Sequence, residues 1–130
     1  MTASSFDQLG GEPALRRIIQ RFVDRLFADV MIGFFFARVD RARLREKEYE
    51  FAAEHLGASV EYTGRALTQA HRGHRIFDGQ FARRRTILKE TLEECGVPEA
   101  VREHWLQHID TLKDQIVLGP CQPEASDGKS

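Results

Sequence analysis

The residue with the clearest capacity for chemistry is His71, in a short segment between Gly64 and Gly73. A neutral imidazole donates a lone pair to a metal, and its second ring nitrogen can be held by a carbonyl acceptor. Ala70 and Gly73 leave room for a large group to approach. This favours a site for a flat metal cofactor, although a histidine at a helix cap or on the surface gives the same local pattern.

A small metal-ion site is a second interpretation of this segment, because His71 and His74 are three residues apart. No nearby carboxylate or cysteine completes a ligand set. Cys95 and Cys121 form neither a metal-ligand spacing nor a disulfide framework, so we expect free thiols.

Glu48 interrupts an apolar stripe predicted at Leu44, Phe51 or Ala52, and His55. It either lies at the edge of the stripe, paired with Arg45 or another basic residue, or is a carboxylate in a dry pocket that can move a proton. Lys47 is either solvated or paired with an acidic cofactor edge.

We expect the other ionisable residues to have structural roles. We expect His55 at a helix end, and His104 and His108 on the surface or at the rim of a pocket. The run Arg83-Arg84-Arg85 has little aromatic interleaving, which argues against nucleic-acid binding. Three consecutive positions span about 200° of a helix, so one arginine must lie near the buried side.

Apolar residues at helical spacing predict an all-α domain with four main helices. The first predicted elements are a turn at Phe6–Leu9, a helix to Asp29 with Pro13 in its first turn, and a helix from N-cap Asp40 to Leu56. A loop over 58–64 and a short helix over 65–72 follow. The last two predicted helices run from Asp78 to Cys95 and onward from Pro98.

The apolar run Val30–Phe36 is ambiguous between a buried strand and a short helix or turn. No second strand candidate of similar strength exists, and a lone strand is not viable. We therefore predict a turn or short helix that inserts its phenyl rings into the core.

Composition indicates one globular domain over residues 1–118 and a disordered tail over 119–130. Nineteen basic and twenty acidic residues give a net charge of −1, which favours neither nucleic acid nor an anionic membrane. The N-terminal residues lack a signal-peptide pattern, and no stretch is apolar enough to span a membrane. We expect a cytoplasmic protein.

Several segments resemble the truncated haemoglobins, a family with the two-over-two globin fold, and most closely its group I. The similarity covers Phe6 to Val117. The segments that carry it are FDQLGGEPALRRIIQRFVDRLFAD, FF followed by VDRARLREKEYEFAAEHLG, EYTGRALTQAHRG, and ECGVPE.

The resemblance implies haem b as cofactor, with His71 as the proximal ligand of the haem iron. The other residues that match haem-contacting positions are Phe35, Phe36, Leu44, Lys47, Glu48, Ile76, Phe77 and Phe81. At the position of Lys47, some group I members place a residue that meets a haem propionate or ligates the iron. The implied ligands are the diatomic gases O2, NO and CO.

The chain departs from the family pattern on the side of the haem opposite His71. Val23 stands where a tyrosine hydroxyl usually donates to the ligand, and Glu48 stands where glutamine is usual. Ala52 replaces an aromatic residue, and the arginines after Asp78 replace apolar residues of a gas tunnel.

Three functions remain open. The first is reversible binding of a diatomic ligand. The second is a haem enzyme, an NO dioxygenase or one acting on peroxide or nitrite, with Glu48 as the candidate distal acid and an external reductase as electron source. The third is a haem-free sensor or interaction module, against which His71 and the phenylalanine cluster argue.

Overall fold

Helices make up all the regular structure in the described part of the chain. The computed structural model describes residues 3–60 and 78–113. Its helices are α1 (Ser5–Leu9), α2 (Gly11–Ala28), a 3-10 helix (Gly33–Phe36), α3 (Arg41–Leu56), α4 (Asp78–Glu94) and α5 (Glu99–Thr111). The all-α prediction is confirmed for these residues.

The turn between α1 and α2 depends on a glycine. Gly10 has φ of 118°, and a Cβ there would lie 2.8 Å from the Cβ of Ala14. At the other end of α1, the Ser4 hydroxyl accepts from the backbone N–H of Asp7 at 3.1 Å. The predicted turn ended by the glycine pair is confirmed.

α2 is the central helix, and it packs against α1, the 3-10 helix, α3 and α4. Its apolar positions recur at helical spacing, and six of them are buried as predicted. These are Leu15, Ile18, Ile19, Phe22, Val23 and Leu26.

α3 begins at its predicted cap, where the Asp40 carboxylate accepts from the N–H of Arg43 at 3.2 Å. Its buried face differs from the predicted stripe and consists of Tyr49, Ala52, Ala53 and Leu56. Of the predicted stripe only Ala52 is buried, whereas Leu44, Glu48, Phe51 and His55 are half-buried. The buried face is therefore turned around the helix axis, and the predicted stripe lies at its margin.

The segment from 30 to 36 forms a turn and a 3-10 helix, which confirms the choice against a strand. A Cβ on Gly33 would lie 2.8 Å from the carbonyl oxygen of Phe27, so this helix lies directly against α2. Phe35 and Phe36 pack partly against the core. The prediction that all three rings enter the core is wrong for Phe34, which is 64% exposed, because the tight 3-10 turn points successive side chains in different directions.

α4 and α5 each bury apolar residues that recur at helical spacing. Phe81, Ile87, Leu88 and Leu92 are buried on α4. On α5 the buried residues are Val101, Trp105, Leu106 and Ile109. Both helices thus complete the core around α2.

Some predictions lie outside the described residues. They are the short helix over 65–72, the tail over 119–130, and the positions of His71, His74, Ile76, Phe77 and Cys121. Cys95 is an exposed free thiol, as expected. Of the helices in the described ranges, none has the length and apolar character to cross a membrane.

Candidate functional site

Three apolar side chains assigned to the cofactor pocket are only partly buried. Phe35 and Phe36 of the 3-10 helix and Leu44 of α3 all pack against the edge of the core. The Phe36 ring stacks on Phe27, with their centroids 5.2 Å apart. Incomplete burial of three large apolar groups leaves apolar surface that a flat apolar cofactor would cover. These residues therefore fit the haem that the sequence implies.

Lys47 lies on the same helix as Leu44, with its side chain 23% exposed. Its ammonium nitrogen lies 3.5 Å from a carboxylate oxygen of Glu50, one turn further along α3. A long side chain at the boundary between core and solvent suits contact with an acidic cofactor edge.

Glu48 forms an ion pair with Arg84 of α4. The Nη2 nitrogen of Arg84 donates to both carboxylate oxygens at 2.8 Å. Both side chains are part-buried, at 23% exposure for Glu48 and 26% for Arg84. The structure therefore supports the interpretation in which Glu48 pairs with a basic residue, but the partner is not Arg45, whose nearest carboxylate is that of Asp24 at 3.9 Å.

The three consecutive arginines of α4 diverge toward three different partners. Arg83 binds Asp29 after α2, with donor-to-acceptor distances of 2.9 and 2.7 Å. Arg85 binds Asp110 of α5 at 2.7 and 3.0 Å. Arg84 is the most buried of the three, which confirms that one arginine lies near the buried side. The sequence could not say which one, because that depends on where α3 crosses α4.

Arg84 also contacts α2. Its guanidinium carbon lies 4.9 Å from the centroid of the Phe22 ring, within the range of a cation–π contact. Phe22 is buried, and so is the next residue, Val23. Val23, which the resemblance places where a tyrosine is expected, is thus buried and carries no polar group.

Phe81 and Ala52 are both buried in the core. Phe81 is among the residues assigned to the haem pocket, and its burial suits an apolar contact. Contact between Phe81 and the segment that holds His71 falls outside the described residues.

A cluster of three histidines lies at the C-terminal end of α3, away from Leu44. The sequence did not predict this cluster. The His55 and His108 rings stack with centroids 3.4 Å apart, and the His104 ring lies 4.6 Å from that of His55. Nδ1 of His104 shares a hydrogen bond of 3.0 Å with the Ser5 hydroxyl. Within residues 3–60 and 78–113, no three histidine, cysteine or acidic side chains are arranged to hold a metal ion.

Burial favours the neutral form of two of these imidazoles, those of His55 and His108. Burial lowers the pKa of His55 to about 4, and the nearby His108 and His104 act in the same direction. Burial also lowers the pKa of His108. The Nε2 atom of His55 is buried and has no hydrogen-bond partner among the described residues. The only sequence signal was the i, i+4 spacing of His104 and His108, which places both on one face of α5.

Comparisons with known proteins cover nearly the whole chain. The bacterial-like globin family matches residues 4–118. The group 1 truncated haemoglobin GlbN of Mycolicibacterium paratuberculosis is 33% identical over 117 residues, which are 90% of this chain and 86% of that protein. The group 1 truncated haemoglobin of Tetrahymena pyriformis is 30% identical, over 85% of this chain and 93% of that protein.

Solved structures show the same arrangement of helices. The Fe(III) form of the Tetrahymena pyriformis truncated haemoglobin superposes with a TM-score of 0.83 at 26% identity, covering 88% of this chain and 98% of that chain. THB1 of Chlamydomonas reinhardtii superposes with a TM-score of 0.76 at 28% identity, covering 89% and 98% of the two chains.

Proposed function

Because the chain belongs to the bacterial-like globin family, and within it to the group 1 truncated haemoglobins, we propose that it reversibly binds a diatomic ligand, O2, NO or CO, at haem iron ligated by His71. The predicted all-α, two-over-two globin fold is confirmed. Membership of this globin family makes haem b the cofactor, and its iron supplies the coordination site for the ligand.

We assign the residues around the cofactor as follows. His71 supplies the imidazole ligand, and Lys47 meets the acidic edge of the haem. Phe35, Phe36 and Leu44 cover the haem face, and their half-buried surfaces support this role. The remaining residues that enclose it are Ile76, Phe77 and Phe81.

The observation that favours reversible binding over proton-transfer chemistry is the ion pair of Glu48. Both oxygens of the Glu48 carboxylate accept hydrogen bonds from one guanidinium nitrogen, so the carboxylate is held as an acceptor in this pair. To act as a proton donor or acceptor in peroxide or nitrite chemistry, Glu48 would have to leave this ion pair. Glu48 is therefore a polar wall of the ligand pocket, and its charge is balanced by Arg84.

Absorption spectroscopy of the protein reconstituted with haem tests this function. We expect a Soret band in the wild type that shifts reversibly when CO or O2 is added and removed. His71→Gly should abolish the wild-type spectrum, and added imidazole should restore it by filling the vacant ligand position. His74→Gly is the matched control, since it removes a histidine three residues away and should leave the spectrum unchanged.

Two outcomes would refute the proposal. Wild-type protein without a Soret band after reconstitution would indicate a haem-free globin fold. Net turnover of NO, peroxide or nitrite at a rate that falls severely in Glu48→Gln would instead indicate an enzyme with Glu48 as its acid.

A further inference from the structure

A polar contact lies where α2, α3 and α4 meet. It consists of Glu48, Arg84 and the ring of Phe22. Phe22 is buried, and the two charged side chains are about one quarter exposed. Charges at such a boundary are screened less than charges on the open surface, so each has a large effect on neighbouring groups.

Arg84 has more donors than Glu48 uses. A guanidinium carries five N–H groups, and both hydrogen bonds to Glu48 come from the single nitrogen Nη2. Among the described residues, Nε and Nη1 of Arg84 donate to no other side chain or backbone group. Within the described part of the chain, three N–H groups therefore remain for a further acceptor.

The charge of Glu48 alone would work against an electron-rich ligand. O2 bound in a haem pocket gains negative charge on oxygen, and an unbalanced carboxylate beside it would repel it. Arg84 cancels that charge. Val23 follows Phe22 in α2, and its apolar side chain offers no hydrogen-bond donor of its own.

We propose that Arg84 is a specificity-determining residue of the ligand pocket: with Nη2 it neutralises Glu48, and with its remaining N–H groups it supplies the hydrogen-bond donors that Val23 lacks. This inference rests on the proposed haem-binding function. It predicts selectivity for O2, which accepts hydrogen bonds when bound, over CO, which accepts them weakly.

The test compares Arg84→Met with Arg85→Met in the haem-loaded protein. Methionine keeps an unbranched side chain and removes the charge. Arg85 is the matched control because it lies next in α4 and pairs with a carboxylate of α5, away from Glu48. In the ferrous CO form, the C–O stretching frequency should rise in Arg84→Met, which leaves Glu48 unbalanced, and stay unchanged in Arg85→Met.

Ligand dissociation gives a second measure. The loss of a charged hydrogen bond in Arg84→Met should speed O2 dissociation by about tenfold or more, with a smaller effect on CO. Glu48→Gln is an independent variant, and it should change the C–O frequency and the O2 dissociation rate in the opposite direction. It leaves Arg84 without a counter-charge, so the C–O frequency should fall and O2 dissociation should slow.

Thermal unfolding of the same variants without haem separates a purely structural ion pair from the proposed role. If Arg84→Met and Glu48→Gln show coupled losses of stability, yet the C–O frequency and the O2-to-CO dissociation ratio match the wild type, Arg84 only holds helices together and the inference is wrong. A wild-type protein with no Soret band would overturn the haem-binding function itself, and the inference with it.

Discussion

Glu48 shows how one partner decides the chemistry of a side chain. On α3 alone it is a carboxylate at the margin of an apolar face, suited to either proton transfer or solvation. Arg84 lies 36 positions further along the chain and donates two hydrogen bonds to it. The carboxylate thereby acts as a hydrogen-bond acceptor, and within the described residues Arg84 keeps N–H groups for another acceptor.

The ionisation of His55 makes the stability of the folded protein depend on pH. Its folded-state pKa is about 4, below the ordinary value of 6.5, chiefly because of burial. The folded protein therefore binds fewer protons than the unfolded chain between these two values. Stability is present in full above pH 6.5 and is lost progressively as pH falls toward 4.

We predict that His55→Phe flattens this pH dependence. Phenylalanine preserves a ring to stack on His108 and removes both the ionisation and the unpaired buried Nε2 atom. Near pH 4.5 the variant should be more stable than the wild type by about 1–2 kcal/mol, a value discounted because the side chain is partly exposed. Denaturant unfolding at a series of pH values measures the difference.

The comparison must be made as a difference between the two proteins at each pH, because other groups titrate equally in both. A gap that stays constant from pH 7 to 4.5 would show that His55 is not the titrating group. His108 is then the next candidate, since burial also lowers its pKa.

Asp29 connects neighbouring elements of the structure through hydrogen bonds and an ion pair. One carboxylate oxygen accepts from Arg83 of α4, and the other accepts from the backbone N–H groups of Met31 and Ile32 at 2.9 and 3.1 Å. Its side chain is only 5% exposed. Asp29 thus joins the end of α2, the approach to the 3-10 helix, and α4.

We predict that Asp29→Asn lowers the free energy of unfolding by about 2–4 kcal/mol, because it removes the charge that buried hydrogen bonds and Arg83 stabilise. Asp24→Asn is the control, because Asp24 pairs with Arg41 at 3.2 Å but is 46% exposed. That change should cost less than about 1 kcal/mol. Equal effects in denaturant melts would mean that the Asp29 link contributes no more than a surface pair.

The same link has an acid dependence of its own. Arg83 holds the pKa of Asp29 below its ordinary value, so this carboxylate contributes stability above that value and loses the contribution as pH falls through the lower folded pKa. His55 acts in a higher pH range. The two effects are therefore separable in one pH series.

For the molecule as a whole, the partly buried apolar residues assigned to the haem pocket make the stability of the fold depend on the cofactor. Phe35, Phe36 and Leu44 are partly buried against the core. A cofactor that covers them in the folded state, and has no site on the unfolded chain, stabilises the fold by mass action.

We predict that removing haem lowers the melting temperature. At free haem 100-fold above its dissociation constant, the stabilisation is about 2.7 kcal/mol. Calorimetry of the haem-loaded and haem-free proteins measures the shift, and titration with haem should move the melting temperature gradually upward. His71→Gly should show a much smaller shift. A melting temperature that is the same with and without haem would contradict the prediction.

Local signals in the sequence were sufficient for most helices. The spacing of Leu15, Ile18 and Phe22 gave α2, Asp40 and Gly57 marked the ends of α3, and Pro98 preceded α5. These features act within one or two turns, so they are visible without the fold. The buried face of α3 was misplaced, because it consists of Tyr49, Ala52, Ala53 and Leu56, of which only Ala52 belonged to the predicted stripe.

The helices, their caps and the family resemblance followed from the order of residues, because hydrophobic period and capping are local properties of a chain. The partners of Glu48 and Asp29 and the stacking of His55 on His108 did not. Each joins residues 36 to 54 positions apart. Which of three consecutive arginines meets which carboxylate depends on how α4 crosses α2, α3 and α5, so only the tertiary structure could decide the charge around the candidate ligand pocket.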